Sequence, residues 1–207
     1  MSLTSQAGAP PGQPPPVVPT EPIWRISVER YHEMIRAGVL TEDDPVELLD
    51  GWLVEKMVKS RAHTLATRQV RSAIEGVIPS GWYVDSQEPV TLAASEPEPD
   101  ALVVRGKPAD YPDSQPGAGD VALVVEVADA TLGRDRGLKK AIYAQAGIPA
   151  YWVVNLSESQ IEVYTDPSGP AQKPDYRQRR DFRPGDEVPV LLEGREVGAV
   201  RVADVLP

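Results

Sequence analysis

The sequence predicts a mixed α/β fold: a central mixed sheet flanked by helices and continued by a β-rich C-terminal extension. Three observations carry this. Val121-Ala-Leu-Val-Val-Glu126-Val127 and Tyr151-Trp-Val-Val154 are nearly unbroken apolar runs, suited to strands buried on both faces. A helical stretch lies between them, so strand, helix and strand follow in the order of a crossover between parallel neighbours. From Asp175 to Pro207, short strand-like pieces alternate with turn signals such as Arg183-Pro-Gly-Asp186 and Glu193-Gly194.

A chain of 207 residues is long enough for one globular domain with a substantial core. Its 41% apolar and 25% charged residues are ordinary for a soluble protein, and no apolar run approaches the length of a membrane-spanning helix. The N-terminus lacks the basic-then-apolar layout of a secretory signal. The absence of cysteine excludes disulfides, thiolate metal sites and cysteine nucleophiles, and suits a cytoplasmic protein. A net charge of −10 counts against a protein that coats nucleic acid electrostatically. It leaves a nuclease open, because a carboxylate-rich site takes up divalent cations that reverse the local sign.

Residues 1–22 hold seven prolines among Gly, Ala, Gln and Ser, and are expected to form a disordered or polyproline-like tail. A single domain is expected over residues 23–207. Ser27 caps a short helix carrying Val28, Tyr31 and Ile35 on one face, with Gly38 as its stop. Pro45 to Met57 reads as a β-hairpin turning at Asp50-Gly51. Glu47 falls on the opposite face of its strand from Val46 and Leu48, either facing solvent or leaning in as a third acid. From Ser60 to Ile78 the period becomes helical, with Ala66, Val70, Ala73, Ile74 and Val77 inward and Arg61, Arg68 and Arg71 outward. His63 sits in the first turn. Trp82–Asp85, Pro89–Leu92 and Ala101–Val104 read as strands, and residues 105–119 as a loop. A helix from Asp135 to Ala146 is expected to bury Leu138, Ile142 and Ala146 and to close at Gly147. Gln160–Tyr164 is the last strand before the C-terminal extension.

Glu126 is the most informative residue. A carboxylate inside an apolar strand is costly to ionise unless a cation or hydrogen bonds compensate. Asp100 opens the neighbouring predicted strand, and Lys139 follows on the helix. Two acids and a lysine brought to one sheet edge suit metal-assisted phosphodiester hydrolysis. Hard carboxylate oxygens, with the Val127 carbonyl, would hold Mg²⁺ or Mn²⁺, and a lysine would hold the attacking water or stabilise the transition state. A plainer reading pairs Glu126 with Lys139 as a buried structural ion pair.

Pro99-Asp100, Val125-Glu126-Val127, Lys139 with Tyr143, Gly147-Ile-Pro and Tyr151-Trp-Val-Val, taken in order, resemble a large bacterial family of restriction endonuclease domains within the PD-(D/E)xK nuclease superfamily. The Glu47-Leu-Leu-Asp-Gly51 hairpin and His63 resemble its N-terminal pattern. The resemblance implies a restriction endonuclease-like core, with Asp100 and Glu126 as metal ligands, Glu47 as an accessory acid and His63 nearby. Lys139 would be the catalytic lysine. The position two after Glu126 is Ala128 where the superfamily carries lysine, so Lys139 must reach the site from the helix; Lys140 points about 100° away. DNA as substrate and a homodimer are further implications. The alternative is a catalytically silent nucleic-acid- or protein-binding relative. No helix-turn-helix or zinc motif is present to supply sequence recognition.

Overall fold

The computed structural model describes residues 21–41 and 43–207. The expected proline-rich tail lies, up to residue 20, outside them. Ser27 caps helix α1 (Val28–Arg36), its hydroxyl accepting from the Arg30 N–H. Strands β1 (Val46–Leu49) and β2 (Trp52–Glu55) form the expected hairpin. Asp50 and Gly51 both adopt positive φ there, as a tight two-residue turn requires. Gly51 is doubly constrained: a Cβ on it would stand 2.6 Å from the Cβ of Arg25.

Helix α2 (Arg61–Glu75) buries Ala66, Val70 and Ile74, and ends earlier than the periodicity suggests, at Gly76 rather than Pro79. Strands β3 (Trp82–Asp85), β4 (Ala101–Arg105), β5 (Val121–Ala128), β6 (Ala150–Asn155), β7 (Gln160–Pro167) and β8 (Tyr176–Phe182) make a six-stranded sheet in chain order. Only β5 and β6 pair in parallel, and the helical crossover joins them. Every residue of β5 and of β6 is buried, as their unbroken apolar sequence demands.

Two expectations change. Pro89–Leu92 is not a strand but an extended loop. The Val90, Thr91 and Leu92 N–H groups donate to Pro97, Pro116 and Ser95 in turn, and only Thr91 forms a bridge, to Gly117. Prolines 89, 97, 99 and 116 cannot donate, so no continuous ladder can form around this segment. The crossover helix is also different. It begins at α3 (Leu132–Arg134), passes through a π-turn at Asp135–Lys139 and continues as α4 (Lys140–Ala146). The face it buries is Asp135, Lys139, Tyr143 and Ala144, while Leu138 is 39% exposed. Buried acids on the sheet give Lys139 a partner inside, and its spacing of four from Asp135 keeps the two on one face. Gly147 closes the helix in the left-handed conformation, as expected.

Apolar clusters fill both faces of the sheet. One joins α2 to Val125, Val127, Val154 and the C-terminal segment, where the hairpin β9 (Glu187–Leu192) and β10 (Arg195–Arg201) and the short α5 (Val202–Val205) contribute Val188, Val190, Val200 and Val205. The other joins α4 to Val124, Val153 and three tyrosines of the sheet's far half. No helix among the described residues is long and apolar enough to cross a membrane.

Candidate active site

The edge between β4 and β5 carries the site. Their pairing ends at Ala101 opposite Val125, so β5 runs on past the start of β4 with one edge free. Backbone direction alternates along a strand. The Ala128 carbonyl turns toward β6 and accepts from the Leu156 N–H, whereas the Val127 N–H turns the other way and donates to Asp100 Oδ2 at 2.8 Å. In extended backbone a residue's N–H and C=O point to the same side. The Val127 carbonyl is thereby aimed at the open edge, beside Asp100.

Each acid is held by a different layer. Asp100 Oδ2 also lies 3.1 Å from Nε2 of His63, which α2 presents from one face of the sheet; Ser60 caps that helix by accepting from the His63 N–H. Oδ1 of Asp100 has only Lys59, at 3.6 Å, among the described residues. Glu126 points to the opposite face, where its Oε1 accepts from Lys139 Nζ at 2.9 Å and from the Tyr143 hydroxyl at 2.7 Å. Its Oε2 accepts from no protein donor among the described residues.

The β1–β2 hairpin delivers a third acid. Glu96 N–H donates to the Leu48 carbonyl, docking the hairpin on the loop before β4, and Glu98 N–H donates to Glu47 Oε2. Glu47 Oε2 stands 3.1 Å from Lys139 Nζ. Of the two sequence readings for Glu47, the inward one is correct: Leu48 packs against Val28 and Tyr31 of α1, leaving the other face of the strand to the cleft. Lys140 lies elsewhere, paired with Asp175.

Sequence reasoning missed a fourth acid, Asp135, and the cations Lys59 and Arg134. Asp135 is buried against the cleft with Oδ2 accepting from Thr131. Its spacing of four from Lys139 on one helix was the available signal. Lys59, on the connection between β2 and α2, carried none. These residues line a cleft of about 630 Å³, counting its open mouth.

The electrostatics follow from this crowding. Burial pushes Glu126 up to about 8; Lys139 offsets this in part, while Asp135, Asp100 and Glu47 add to it. Burial likewise moves Asp135 up to about 6 against the hydrogen bond from Thr131 and the pull of Lys139. Asp100 is also opposed by burial, but His63, the Val127 N–H and Lys59 outweigh that and hold it below its ordinary value. Burial alone would lower Lys139; Glu126 and Glu47 reverse the sign, so the ammonium stays charged.

The ion pair expected of a purely structural Glu126 is therefore present. It does not account for Glu47, Asp100 and Asp135, three further acids buried in the same cleft. Among the described residues, no group of three or more His, Asp or Glu side chains stands ready to hold a cation by itself. Two carboxylates with open oxygens and an adjacent carbonyl are the hard donor set that Mg²⁺ and Mn²⁺ prefer, and the remaining positions suit water.

A crystal structure of a "putative nuclease belonging to DUF820" from Anabaena variabilis superposes with a TM-score of 0.64 over 87% of this chain and 97% of its own. At 16% identity it shows a shared fold. No curated protein matches the chain. The Uma2 family model, described as "Putative restriction endonuclease", matches residues 28–200, a span containing every residue of the cleft, and the chain belongs to that family.

Proposed function

We propose that the chain is a divalent-metal-dependent DNA endonuclease whose site is the cleft at the β4–β5 edge. One observation carries this reading. Four buried carboxylates and one buried lysine line the same cleft, and beside the Val127 carbonyl Asp100 Oδ1 and Glu126 Oε2 have no hydrogen-bond donor among the described residues. Asp100, Glu126 and that carbonyl would hold Mg²⁺ or Mn²⁺, with Glu47 as an accessory acid. The ion, when bound, acidifies a water and shields phosphate charge. Lys139, kept protonated by Glu126 and Glu47, would donate an N–H to a phosphate oxygen as negative charge builds there. His63 keeps Asp100 ionised and oriented. Lys59 would be freed from Asp100 to contact the phosphate backbone. Residues 23–207 would act as one domain, since the C-terminal hairpin completes the core against α2. A homodimer would supply one site for each strand.

The test is cleavage of supercoiled plasmid. The wild type is expected to nick it in Mg²⁺ or Mn²⁺ but not in a chelator. Glu126→Ala is expected to abolish cleavage with an unchanged circular-dichroism spectrum, because Lys139 retains Glu47. Unchanged cleavage by the variant contradicts the assignment. The silent-binding alternative predicts DNA or partner association indifferent to metal and to Glu126; the net charge of −10 favours a protein partner over DNA in that case.

A further inference from the structure

The two principal acids are arranged alike: each is anchored through one oxygen and open at the other. On Glu126 the anchored oxygen, Oε1, receives two donors, so its lone pairs are engaged and Oε2 is the oxygen left to the cleft. The two donors differ in how firmly they can hold. Lys139 shares its ammonium with Glu47 at 3.1 Å and ends a flexible four-carbon stem. Tyr143 is fully buried on α4, with its ring against Tyr151 at 5.1 Å between centroids. Tyr151 continues the contact to Tyr164 and Tyr176 at 5.8 and 6.1 Å. A fully buried ring packed against such a stack is held in place by its neighbours, so its hydroxyl is the firmer of the two donors.

We propose that Tyr143 is a positioning residue. Its hydroxyl fixes the rotamer of Glu126 so that Oε2 faces the cleft for a divalent cation, even when Lys139 turns toward a phosphate. The proposal rests on the metal-dependent reading above. Partners behind a ligating carboxylate commonly change metal affinity by about 10- to 100-fold.

Tyr176 supplies the control. It belongs to the same stack and is also buried, but its hydroxyl donates to the Ile148 carbonyl, away from the acids. A general packing role predicts equal effects at the two positions; positioning predicts different ones. Mn²⁺ titration calorimetry on the full chain is the experiment, with thermal denaturation confirming the fold. Tyr143→Phe is expected to weaken Mn²⁺ binding by roughly tenfold. Tyr176→Phe is expected to bind as the wild type does. In a Glu126→Gln background, removing the Tyr143 hydroxyl should change Mn²⁺ affinity no further. Tyr143→Met, which fills the ring's volume flexibly, replaces Phe if that variant does not fold. Wild-type affinity in the Tyr143 variant, or an equal loss in Tyr176→Phe, overturns the proposal while leaving the metal site standing. A wild type that binds no Mn²⁺ overturns both.

Discussion

Lys139 is the residue on which the site's charge balance turns. Its ammonium lies within 3.1 Å of two buried carboxylates, so removing it leaves Glu126 without its cation and Glu47 with Arg134 at 3.9 Å. Breaking a buried pair on one side is expensive, of the order of 3–5 kcal/mol. Lys139→Met is accordingly expected to lose about that much stability in urea denaturation, along with cleavage. A loss under about 1 kcal/mol would match an exposed pair and contradict the burial. Glu126 was legible from sequence because a carboxylate inside Val-Val-Glu-Val has no cheap explanation. Asp135 was not, since an acid at the start of a helix is ordinary and only the fold shows that it turns inward.

At the scale of elements, the buried acids decide which helix face reaches the sheet, because Lys139 and Tyr143 both bond to Glu126. The sequence reading found the helix and its Gly147 stop. It chose the face of Leu138, Ile142 and Ala146, because apolar periodicity takes a uniform 100° per residue. The buried face of Asp135, Lys139 and Tyr143 has the same spacing of four and lies one residue, about 100°, around the helix, so the apolar pattern pointed to the wrong one of two adjacent stripes. Deleting Gly137 from the π-turn should restore a regular register and carry Lys139 about 100° away from Glu126. Its stability loss is expected to match that of Lys139→Met, and cleavage should vanish; wild-type behaviour would show that the turn is dispensable. The C-terminal hairpin offers a second check. A Cβ on Gly198 would stand 2.7 Å from the Cβ of Val77, just beyond the end of α2. Gly198→Ala should therefore cost about 1–3 kcal/mol through overpacking, measurable by denaturant titration. The strands were easier to read than the helices' faces. Burial on both sides left β5 and β6 almost wholly apolar, whereas Pro89–Leu92 alternates like a strand but is surrounded by prolines that cannot pair.

For the whole molecule, the raised carboxylates couple folding to pH. Glu126 at about 8 and Asp135 at about 6 bind protons in the folded state that the unfolded chain releases nearer 4. Between those values the folded state holds more protons, so stability falls as pH rises. Metal-free protein should melt at progressively lower temperature from pH 5 to pH 8, and Glu126→Gln should flatten that slope. A melting temperature that rises over the same interval would have the wrong sign. Asp100, held below its ordinary value, contributes oppositely, but only at acid pH.

A divalent cation would relieve the same repulsion, so binding should strengthen as Glu126 deprotonates. Calorimetric titration of the chelator-treated protein with Mn²⁺ at pH 8, wild type against Asp100→Ala, tests the metal site most directly. Saturable heat is predicted for the wild type and none for the variant. No metal-dependent heat in the wild type would contradict a metal-dependent nuclease and leave the cleft a buried ion-pair network.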